Sequence, residues 1–373
     1  MTRFVNSAEK NMVLILYIES GSGSLTLARN IQFALTQDGI ESRLLSLHDI
    51  LPAWLNEALF GNYQRWCNEN KTWFERIFRS RWFYPCLYTL LPLIIRMKNK
   101  GKRLETPSVF SNVKTVVACS FFCGWFSNYW QKNSSHPRPV YGVLGDYTVS
   151  PGWNLALERL FIPMAYESPV FRAIRQKGGK ITASGIPASL NQVHEAGEKG
   201  CVMFSGGGWG LHLSTTSIES LLGMPSVTTL IVLCGSNRAL REELNARFRD
   251  PIGTGRLVVQ PYTSEMQSLY AQAEVVIAKA GGLTLTEAAL CGKPLVISGY
   301  LPGHEEENMR VFLRHDAALY ADNDGELIKA VQTLLSSPER ALTLKRHAAA
   351  LVNQQAGAIV SLQIKKDIKH VDA

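Results

Sequence analysis

Short apolar segments alternate with helix-length stretches along most of this 373-residue chain. Strands that alternate with helices pair in parallel, because each helix carries the chain back across the sheet. In the first half the predicted strands are 12–18, 115–119, 140–144, 160–164 and 181–183. The pattern restarts after Gly185-Ile186-Pro187, with predicted strands at 201–205, 229–233, 257–259, 275–278 and 295–297. The sequence therefore predicts an α/β protein with two doubly wound, Rossmann-like units.

Length and composition agree with two domains. A chain of 373 residues exceeds what one hydrophobic core usually serves, and 46% apolar with 19% charged residues is typical of a packed globular protein. We predict a first domain over residues 1–186 and a second over residues 187–340, with the hinge in the polar stretch before Lys199. Apolar positions three or four apart from Arg340 to Ile364 indicate that residues 341–373 form a C-terminal helix, which we expect to cross back to the first domain.

The seven cysteines and the N-terminal apolar run bear on the compartment. The cysteines contain no CxxC pair, and most lie in apolar runs, which favours a reduced protein. The run Met12–Ile18 is too short to span a membrane and has no small-residue cleavage site. We therefore expect a first strand rather than a signal peptide, and a cytoplasmic location.

A basic and apolar segment over residues 71–103 carries the whole formal net charge of +8. It contains nine Lys or Arg residues against the single acid Glu75, so the rest of the chain sums to zero. Basic flanks around an aromatic and aliphatic middle suit an anionic membrane surface. The apolar run from Trp82 to Ile95 is too short to span and contains Pro85 and Pro92.

We expect this segment to attach the protein peripherally to the inner leaflet of a membrane. The alternative is an ordinary core helix with solvated basic ends. Nucleic acid is not an expected partner, because the basic residues bracket an apolar block instead of lining a polar groove.

The stretch from Val276 to Glu287 joins an apolar strand to a helix through Gly281 and Gly282. Glycines allow the backbone to approach a ligand closely, and the first N–H groups of the helix have no partner within it. A diphosphate would fit there. In the alternative interpretation, Thr284 and Glu287 form a capping box. A second polar cluster, residues 302–308, follows a predicted strand at the edge where open α/β sheets bind ligands.

The segments Lys279–Ala288 and Pro302–Asn308 resemble the nucleotide-sugar half of monogalactosyldiacylglycerol synthases, processive diacylglycerol glucosyltransferases and the peptidoglycan N-acetylglucosaminyltransferase. These are inverting GT-B glycosyltransferases, in which two Rossmann-like domains face each other across a cleft. The resemblance implies that the glycine turn holds a diphosphate, that Glu287 bonds the ribose and that the downstream cluster holds the sugar. It extends well over residues 146–319 and only loosely over the residues before them.

Further loops of the second half match the same family. Ser205–Gly210 resembles its first glycine loop, Cys234–Asn237 its next strand end, and Tyr262 lies where a residue flanks the nucleobase. His304 replaces the usual Gln, so the resemblance does not fix the sugar. The donor-binding residues implied are Gly207, Gly208, Asn237, Tyr262, Gly281, Gly282, Thr284, Glu287, His304, Glu305 and Asn308.

Two segments of the first half resemble the acceptor side of the family but lack its histidines. Residues 19–24 follow the first strand, and Ser24 stands where the family has a His. Residues 145–153 resemble a segment in which the family has Thr-Asp, then His-Pro and then Trp, each separated by other residues, and Ser150 stands in the place of the His. The acceptor-binding residues implied are Gly21, Gly23, Ser24, Ser150 and Trp153.

Inverting transfer needs a base that takes the proton of the attacking hydroxyl, and a serine cannot serve unaided at neutral pH. Asp146 and Glu19, each at the end of a predicted strand, are the carboxylates placed for this role. No metal or cofactor is expected, since the resemblance implies that helix dipoles and backbone N–H groups stabilise the leaving diphosphate.

The sequence thus predicts a glycosyltransferase that moves a sugar from a nucleotide-sugar, with a UDP-sugar as the expected donor, to a lipid or amphipathic acceptor at a membrane surface. Two other functions stay open at this point. A nucleotide-sugar 2-epimerase shares the fold. A donor-binding but inactive partner subunit would explain both His-to-Ser departures.

Overall fold

The computed structural model describes residues 12–19, 21–61, 76–77, 79–134, 136–190 and 197–371. Residues 71–75 and 78 of the basic segment, and residues 191–196 of the expected hinge, lie outside this range. The described chain forms two compact units. The first comprises the residues up to Glu19, those from Ser24 to Pro187 and those from Gln355 onward, and the second comprises Gly21–Gly23 and Ala188–Gln354.

The first unit is built on a six-stranded sheet in which every strand pair is parallel. In chain order its strands are β1 Met12–Tyr17, β2 Ser42–Ser46, β3 Val113–Ala118, β4 Val140–Val143, β5 Arg159–Ile162 and β6 Lys180–Ala183. Their order across the sheet is β2-β1-β3-β4-β5-β6. Its α-helices include α1 Gly23–Gln37, α2 Leu47–Ile50, α3 Ala53–Asn56, α4 Phe83–Lys98, α5 Phe121–Gln131 and α6 Pro169–Gln176, and short π- and 3₁₀-helical turns lie at Glu57–Gly61, Ser108–Asn112 and Pro151–Trp153.

The second unit has a second parallel sheet of six strands. Its strands are β7 Cys201–Ser205, β8 Thr229–Leu233, β9 Leu257–Gln260, β10 Val275–Lys279, β11 Leu295–Gly299 and β12 Leu319–Tyr320, in the order β12-β11-β10-β7-β8-β9. Its helices are α7 Thr215–Leu222, α8 Arg238–Arg247, α9 Arg249–Gly253, α10 Met266–Gln272, α11 Gly282–Leu290, α12 His304–Arg314, α13 Asp324–Ser336 and α14 Pro338–Ala350.

Strand order reverses once in each sheet, and that reversal decides where a ligand fits. In the second unit β7 and β10 are neighbours although two strands separate them in sequence, and in the first unit β1 and β3 are neighbours although β2 lies between them in sequence. Loops leave such a pair in opposite directions, which opens a crevice at the carboxyl ends of the strands. The glycine loops after β7 and β10 flank the crevice of the second unit, and Glu19, which follows β1, lies at the corresponding edge of the first.

Each sheet is buried between helices, so its strands read as nearly continuous apolar runs. Gly142 in β4 shows how tightly the first core is packed. A Cβ at this position would lie 2.6 Å from both the Leu160 Cδ1 and the Trp153 Cζ3 atoms, so only glycine fits under the indole ring.

The last helix, α15 Ala356–Val371, belongs to the first unit. The Lys365 Nζ atom donates to the Asp38 carbonyl at 2.7 Å, and the Tyr141 hydroxyl donates to the Asp367 carboxylate at 3.0 Å. Asp367 also lies 3.7 Å from the Arg159 guanidinium. A charged group from α15 thus pairs with a largely buried arginine on β5.

The predicted α/β class with two Rossmann-like units is confirmed, as two parallel six-stranded sheets with helices. Two strands were not predicted: β2, an edge strand with only two apolar residues, and β12, which has two residues in all. The continuous helix expected from Arg340 to Ile364 is wrong in one respect. The structure has α14 and α15 instead, because the chain turns over residues 351–355.

Candidate functional site

The loops after β7 and β8 are packed backbone against backbone. Gly207 has a φ of 66°, and a Cβ on Gly235 would lie 2.4 Å from the Gly207 carbonyl oxygen and 2.5 Å from that of Gly208. The Ser236 N–H also donates to the Gly208 oxygen at 2.9 Å. These glycines are needed for the close approach of two main chains next to the strand reversal.

The turn after β10 leads directly into α11. Gly281 is the N-cap residue, and the first hydrogen bond of the helix runs from the Leu285 N–H to the Gly281 carbonyl at 3.0 Å. The N–H groups of Gly282, Leu283 and Thr284 therefore precede the helical ladder and point out of the helix end. The capping-box interpretation is wrong: Thr284 already lies inside the helix, and no side chain caps it.

Glu287, one turn further along α11, is partly buried and accepts a hydrogen bond from the Tyr270 hydroxyl at 3.4 Å. Burial raises the pKa of Glu287 to about 7, and the Tyr270 hydrogen bond only partly offsets this. A carboxylate that burial makes costly to ionise gains most from a ligand that donates hydrogen bonds to it.

The end of β10 carries a buried ion pair that the sequence did not predict. The Lys279 ammonium contacts the Glu305 carboxylate, and their side chains are only 14% and 5% exposed. The second carboxylate oxygen of Glu305 accepts from the Leu301 N–H at 2.7 Å. Burial alone would raise the pKa of Glu305, but the Lys279 charge, with help from His304 and the Leu301 N–H, holds it below the ordinary value.

Asn308 also faces the glycine turn. Its amide is fully buried and donates to the Ala280 carbonyl at 3.0 Å, so it braces the turn from α12. Gly303, with a φ of 91°, starts that helix, and His304 is its first residue and is partly exposed. Of the three predicted sugar contacts on α12, Glu305 and Asn308 are thus directed at β10 and its turn.

The other two predicted donor residues lie after β8 and β9. The Asn237 side chain caps α8 by accepting from the Leu240 N–H at 3.0 Å. Tyr262 is held at its backbone by the Gly235 carbonyl, and its side chain is 49% exposed. A half-exposed aromatic ring beside the loop after β8 has a free surface for stacking, and its part in nucleobase binding stays a prediction.

Lys279 and His212 are residues at this edge that the sequence did not single out. His212 has a φ of 58°, and its ring lies against Gly299, where a Cβ would be 2.6 Å from the His212 Nδ1 atom. A non-glycine residue in this conformation is uncommon and occurs often at functional sites. For Lys279 the available signal was a lysine at the end of an otherwise apolar strand, because lysine is rarely buried without a partner.

In the part of the chain that the structure describes, no three His, Cys, Asp or Glu side chains are grouped so that they could hold a metal ion. The positive groups that the structure does bring to the glycine turns are the first N–H groups of α11 and the Lys279 ammonium.

In the first unit, Glu19 follows β1 and is exposed. Its N–H donates to the Nδ1 atom of His48 at 3.3 Å, and burial lowers the pKa of His48 against the opposing effect of Glu19 and Asp49. An accepting Nδ1 leaves the proton of the neutral imidazole on Nε2. His48 therefore supports the loop and offers no lone pair in this geometry. The Ser24 hydroxyl accepts from the Ile18 N–H at 3.2 Å.

The segment after β4 is placed as follows. Asp146 is partly buried, and its charge adds to the effect of burial in raising the pKa of Tyr166. Ser150 is buried and accepts from the Gly152 N–H at 3.2 Å. Trp153 is buried and packs edge-on against Phe121. Neither serine is placed to act as a base, and the roles of these residues toward an acceptor stay predictions.

Helix α4, in the basic segment, has two different faces. Tyr84, Leu91 and Ile95 are buried in the core of the first unit. On the outside lies what we call the exposed apolar face, with Trp82 81%, Leu90 53%, Leu93 52%, Ile94 37% and Met97 75% exposed. Among the described residues of the basic segment, the exposed basic ones are Arg76, Arg79, Arg81, Arg96, Lys98, Lys100 and Lys102. Within the described ranges, no helix is long and apolar enough to cross a membrane.

Comparison with known proteins agrees with this architecture. Residues 214–362 match the glycosyltransferase family 28 C-terminal domain. The chain is 23% identical over 383 residues to a processive diacylglycerol beta-glucosyltransferase of Bacillus mycoides, covering 93% of this chain and 92% of the relative.

Two solved structures share the fold. MurG of Acinetobacter baumannii superposes with a TM-score of 0.59 at 14% identity, covering 95% of this chain and 99% of that one. UGT71G1 of Medicago truncatula, complexed with UDP-glucose, gives 0.57 at 12% identity, covering 99% and 100%. The family 28 match and the glycosyltransferase relatives support a glycosyltransferase, and the two solved structures share its GT-B fold.

Proposed function

We propose that this glycosyltransferase moves a sugar, with inversion, from a UDP-sugar to a lipid acceptor at the surface of an anionic membrane. The observation that carries the donor half is the buried polar cluster at the strand reversal of the second sheet. There the N–H groups at the start of α11, the Lys279–Glu305 pair and Glu287 lie at one strand edge. Such a set of groups fits a nucleoside diphosphate.

Each part of the donor has a partner in this cluster. The diphosphate binds at the start of α11, where three N–H groups and the helix dipole favour negative charge. The ribose hydroxyls donate to Glu287, and Tyr262 stacks on the uracil. His304, partly exposed at the start of α12, contacts the sugar. The curated relative is named for glucosyl transfer, which supports a hexose as the sugar.

The chemical step needs a base and a stabilised leaving group. The acceptor hydroxyl attacks the anomeric carbon and forms the new C–O bond, while the bond to the diphosphate breaks and UDP leaves. Asp146 takes the hydroxyl proton, with Glu19 as the second candidate, because Ser24 and Ser150 are both engaged as hydrogen-bond acceptors from the backbone. The N–H groups of α11 stabilise the charge that develops on the diphosphate.

The exposed apolar face of α4 supports a lipid acceptor. An apolar helix face with basic residues on its borders is typical of proteins that lie in the membrane interface, where the apolar side chains enter the lipid and the cations pair with anionic headgroups. The name of the curated relative, a diacylglycerol glucosyltransferase, supports the same class of acceptor. The site of action proposed is the cytoplasmic leaflet.

The test is a transfer assay on anionic vesicles that contain diacylglycerol, with UDP-glucose, UDP-galactose and UDP-N-acetylglucosamine labelled in the sugar. We expect one labelled sugar to appear in a glycolipid of inverted anomeric configuration, and Glu287→Ala to abolish most of it. Label that moves only into an epimeric nucleotide-sugar would contradict transfer and indicate an epimerase. Donor binding without any product, with every acceptor offered, would indicate an inactive partner subunit.

A further inference from the structure

Lys279 is an unusual residue for its position. The four residues of β10 before it are fully buried and apolar, and an apolar residue at position 279 would continue that pattern. A buried ion pair is weak as a source of stability, because desolvation of both charges offsets their attraction. The Lys279–Glu305 pair therefore calls for an explanation other than folding.

The surroundings of Lys279 point toward a ligand. Its side chain lies between the two glycine loops: a Cβ on Gly207 would be 2.7 Å from the Lys279 Cε atom, and one on Gly281 would be 3.1 Å from Nζ. Any other residue at Gly207 or Gly281 would occupy the space next to the ammonium. Glycine at both positions leaves that space open on the side where the N–H groups of α11 emerge.

Glu305 fixes the lysine without using all of its protons. One carboxylate oxygen contacts the ammonium and the other accepts from the Leu301 N–H, so the carboxylate is anchored to the loop before α12. An ammonium has three N–H donors, and a single carboxylate oxygen engages one of them. The remaining donors can bind an anion.

The geometry points to Lys279 as the residue that binds the donor diphosphate through its charge, with Glu305 as the residue that positions Lys279. The inference rests on the UDP-sugar donor proposed above. When the bond between the anomeric carbon and the diphosphate oxygen breaks, that oxygen keeps the electron pair, and the Lys279 ammonium stabilises the added negative charge. Lys279 thus touches the leaving group, whereas Glu305 acts through it.

Comparing the affinities for uridine, UMP and UDP distinguishes phosphate binding by Lys279 from a purely structural role. Uridine has no phosphate, so the charge of Lys279 affects only the two nucleotides. Lys279→Met should weaken UDP binding by about 10- to 100-fold and leave uridine binding unchanged, because a charged hydrogen bond is lost. Lys279→Arg keeps the charge and should recover part of the loss. The matched control is Lys329→Met, an exposed lysine on α13 of the same unit.

A double-mutant cycle tests the positioning role of Glu305. Glu305→Gln should weaken UDP binding by a smaller factor, about 3- to 10-fold. The double variant should bind UDP no more weakly than Lys279→Met alone, because Glu305 acts on the ligand only through Lys279. Additive losses would show that Glu305 has a separate effect on the ligand and would overturn this part.

The double variant also covers the case in which Lys279→Met fails to fold, since it leaves no unpaired carboxylate in the interior. One outcome would contradict the role of Lys279 alone: the wild type, Lys279→Met and the double variant all bind UDP far more tightly than uridine. The proposed UDP-sugar donor would then still be supported. If the wild type binds neither UDP nor uridine, the proposed donor and this inference are both wrong.

Discussion

The carboxyl edges of the two sheets are built differently. In the second unit, polar side chains from β10, α10, α11 and α12 are buried and bonded to one another or to the backbone of the glycine turn. In the first unit, Glu19 is exposed, and its N–H is held by His48, while Ser24 and Ser150 accept hydrogen bonds from neighbouring backbone. Preorganised polar groups suit a ligand of fixed chemistry. A strand edge with few buried polar side chains, beside an exposed apolar helix, suits an apolar or variable ligand.

The largest expected effect tests whether the carboxyl edge of the first sheet supplies the base for transfer. Asp146→Asn should lower turnover by about 10²–10⁴-fold, because the acceptor proton loses its base, with little change in UDP affinity. Steady-state kinetics and UDP titration give both quantities. The control is Asp250→Asn, an exposed carboxylate on α9. Near-normal turnover of Asp146→Asn would show that Asp146 is not the base. Glu19 would then be the remaining candidate, and Glu19→Gln tests it in the same assay.

The next effect concerns the exposed apolar face and its basic border. Replacement of Arg96, Lys98, Lys100 and Lys102 by Ser should weaken binding to anionic vesicles by about 10³-fold at low salt, at about 1 kcal/mol for each charge. Vesicle flotation measures this, and wild-type binding should fall as salt rises.

The matched control for this change is a quadruple Ser variant of Lys199, Arg249, Lys329 and Arg346, which are exposed on the second unit. An equal loss of vesicle binding in the control variant would show that the interaction depends only on the net charge of the protein. A wild type that stays free of anionic vesicles at low salt would contradict the proposed attachment and assign α4 to another partner.

A smaller effect tests the donor edge. Glu287→Ala should weaken UDP binding by about 1.5–3 kcal/mol, because a charged hydrogen-bond acceptor for the ribose is lost. Isothermal titration on the folded variant gives the value, and Glu243→Ala on an exposed face of α8 is the control. An unchanged UDP affinity would mean that the buried polar groups of the second unit serve packing rather than ligand binding.

The last effect is on stability rather than on binding or turnover: it is the pH dependence that Glu287 brings to the free energy of unfolding. Its pKa is about 7 in the folded protein and 4.5 is the ordinary value, so between these limits the native state holds a proton that the unfolded chain has released. The contribution of Glu287 is fully present below pH 4.5 and is lost as pH rises through about 7.

Chemical denaturation between pH 4 and 8 measures this contribution, and Glu287→Gln should remove it. UDP, if the ribose bonds the ionised carboxylate, should bind more tightly as pH rises through the same window. A pH profile of Glu287→Gln that matches the wild type would show that another group titrates there.

Most strands of the fold could be predicted from the sequence, because strands buried on both faces of a parallel sheet are nearly continuous apolar runs. Ten of the strands are apolar runs followed by turn residues, and their positions needed no tertiary information. The edge strand β2 was missed because Leu44 and Leu45 are its only apolar residues, and its place is set by pairing with β1. β12 is too short to carry a pattern.

The donor site was predictable as a place but not as a set of contacts. The glycine turn and the residues of α12 could be located, since spacing and resemblance both mark them. The direction of each side chain could not: Thr284 looked like a cap but lies inside α11, and Glu305 is turned toward Lys279. That pairing joins residues on different elements, and a single sequence contains no information on which buried charges meet.

The position of α15 has a consequence for synthesis. Val360 and Ile364 are fully buried in the first unit, and Asp367 pairs with Arg159, yet the ribosome makes these residues after the whole of Ala188–Gln354. Until these residues emerge, Arg159 on β5 has no Asp367 carboxylate to pair with, and the core of the first unit lacks the side chains of α15. The second unit is almost continuous in sequence and has no such dependence. Domains fold as units while the chain grows, so the part that is translated first is the part that is completed last.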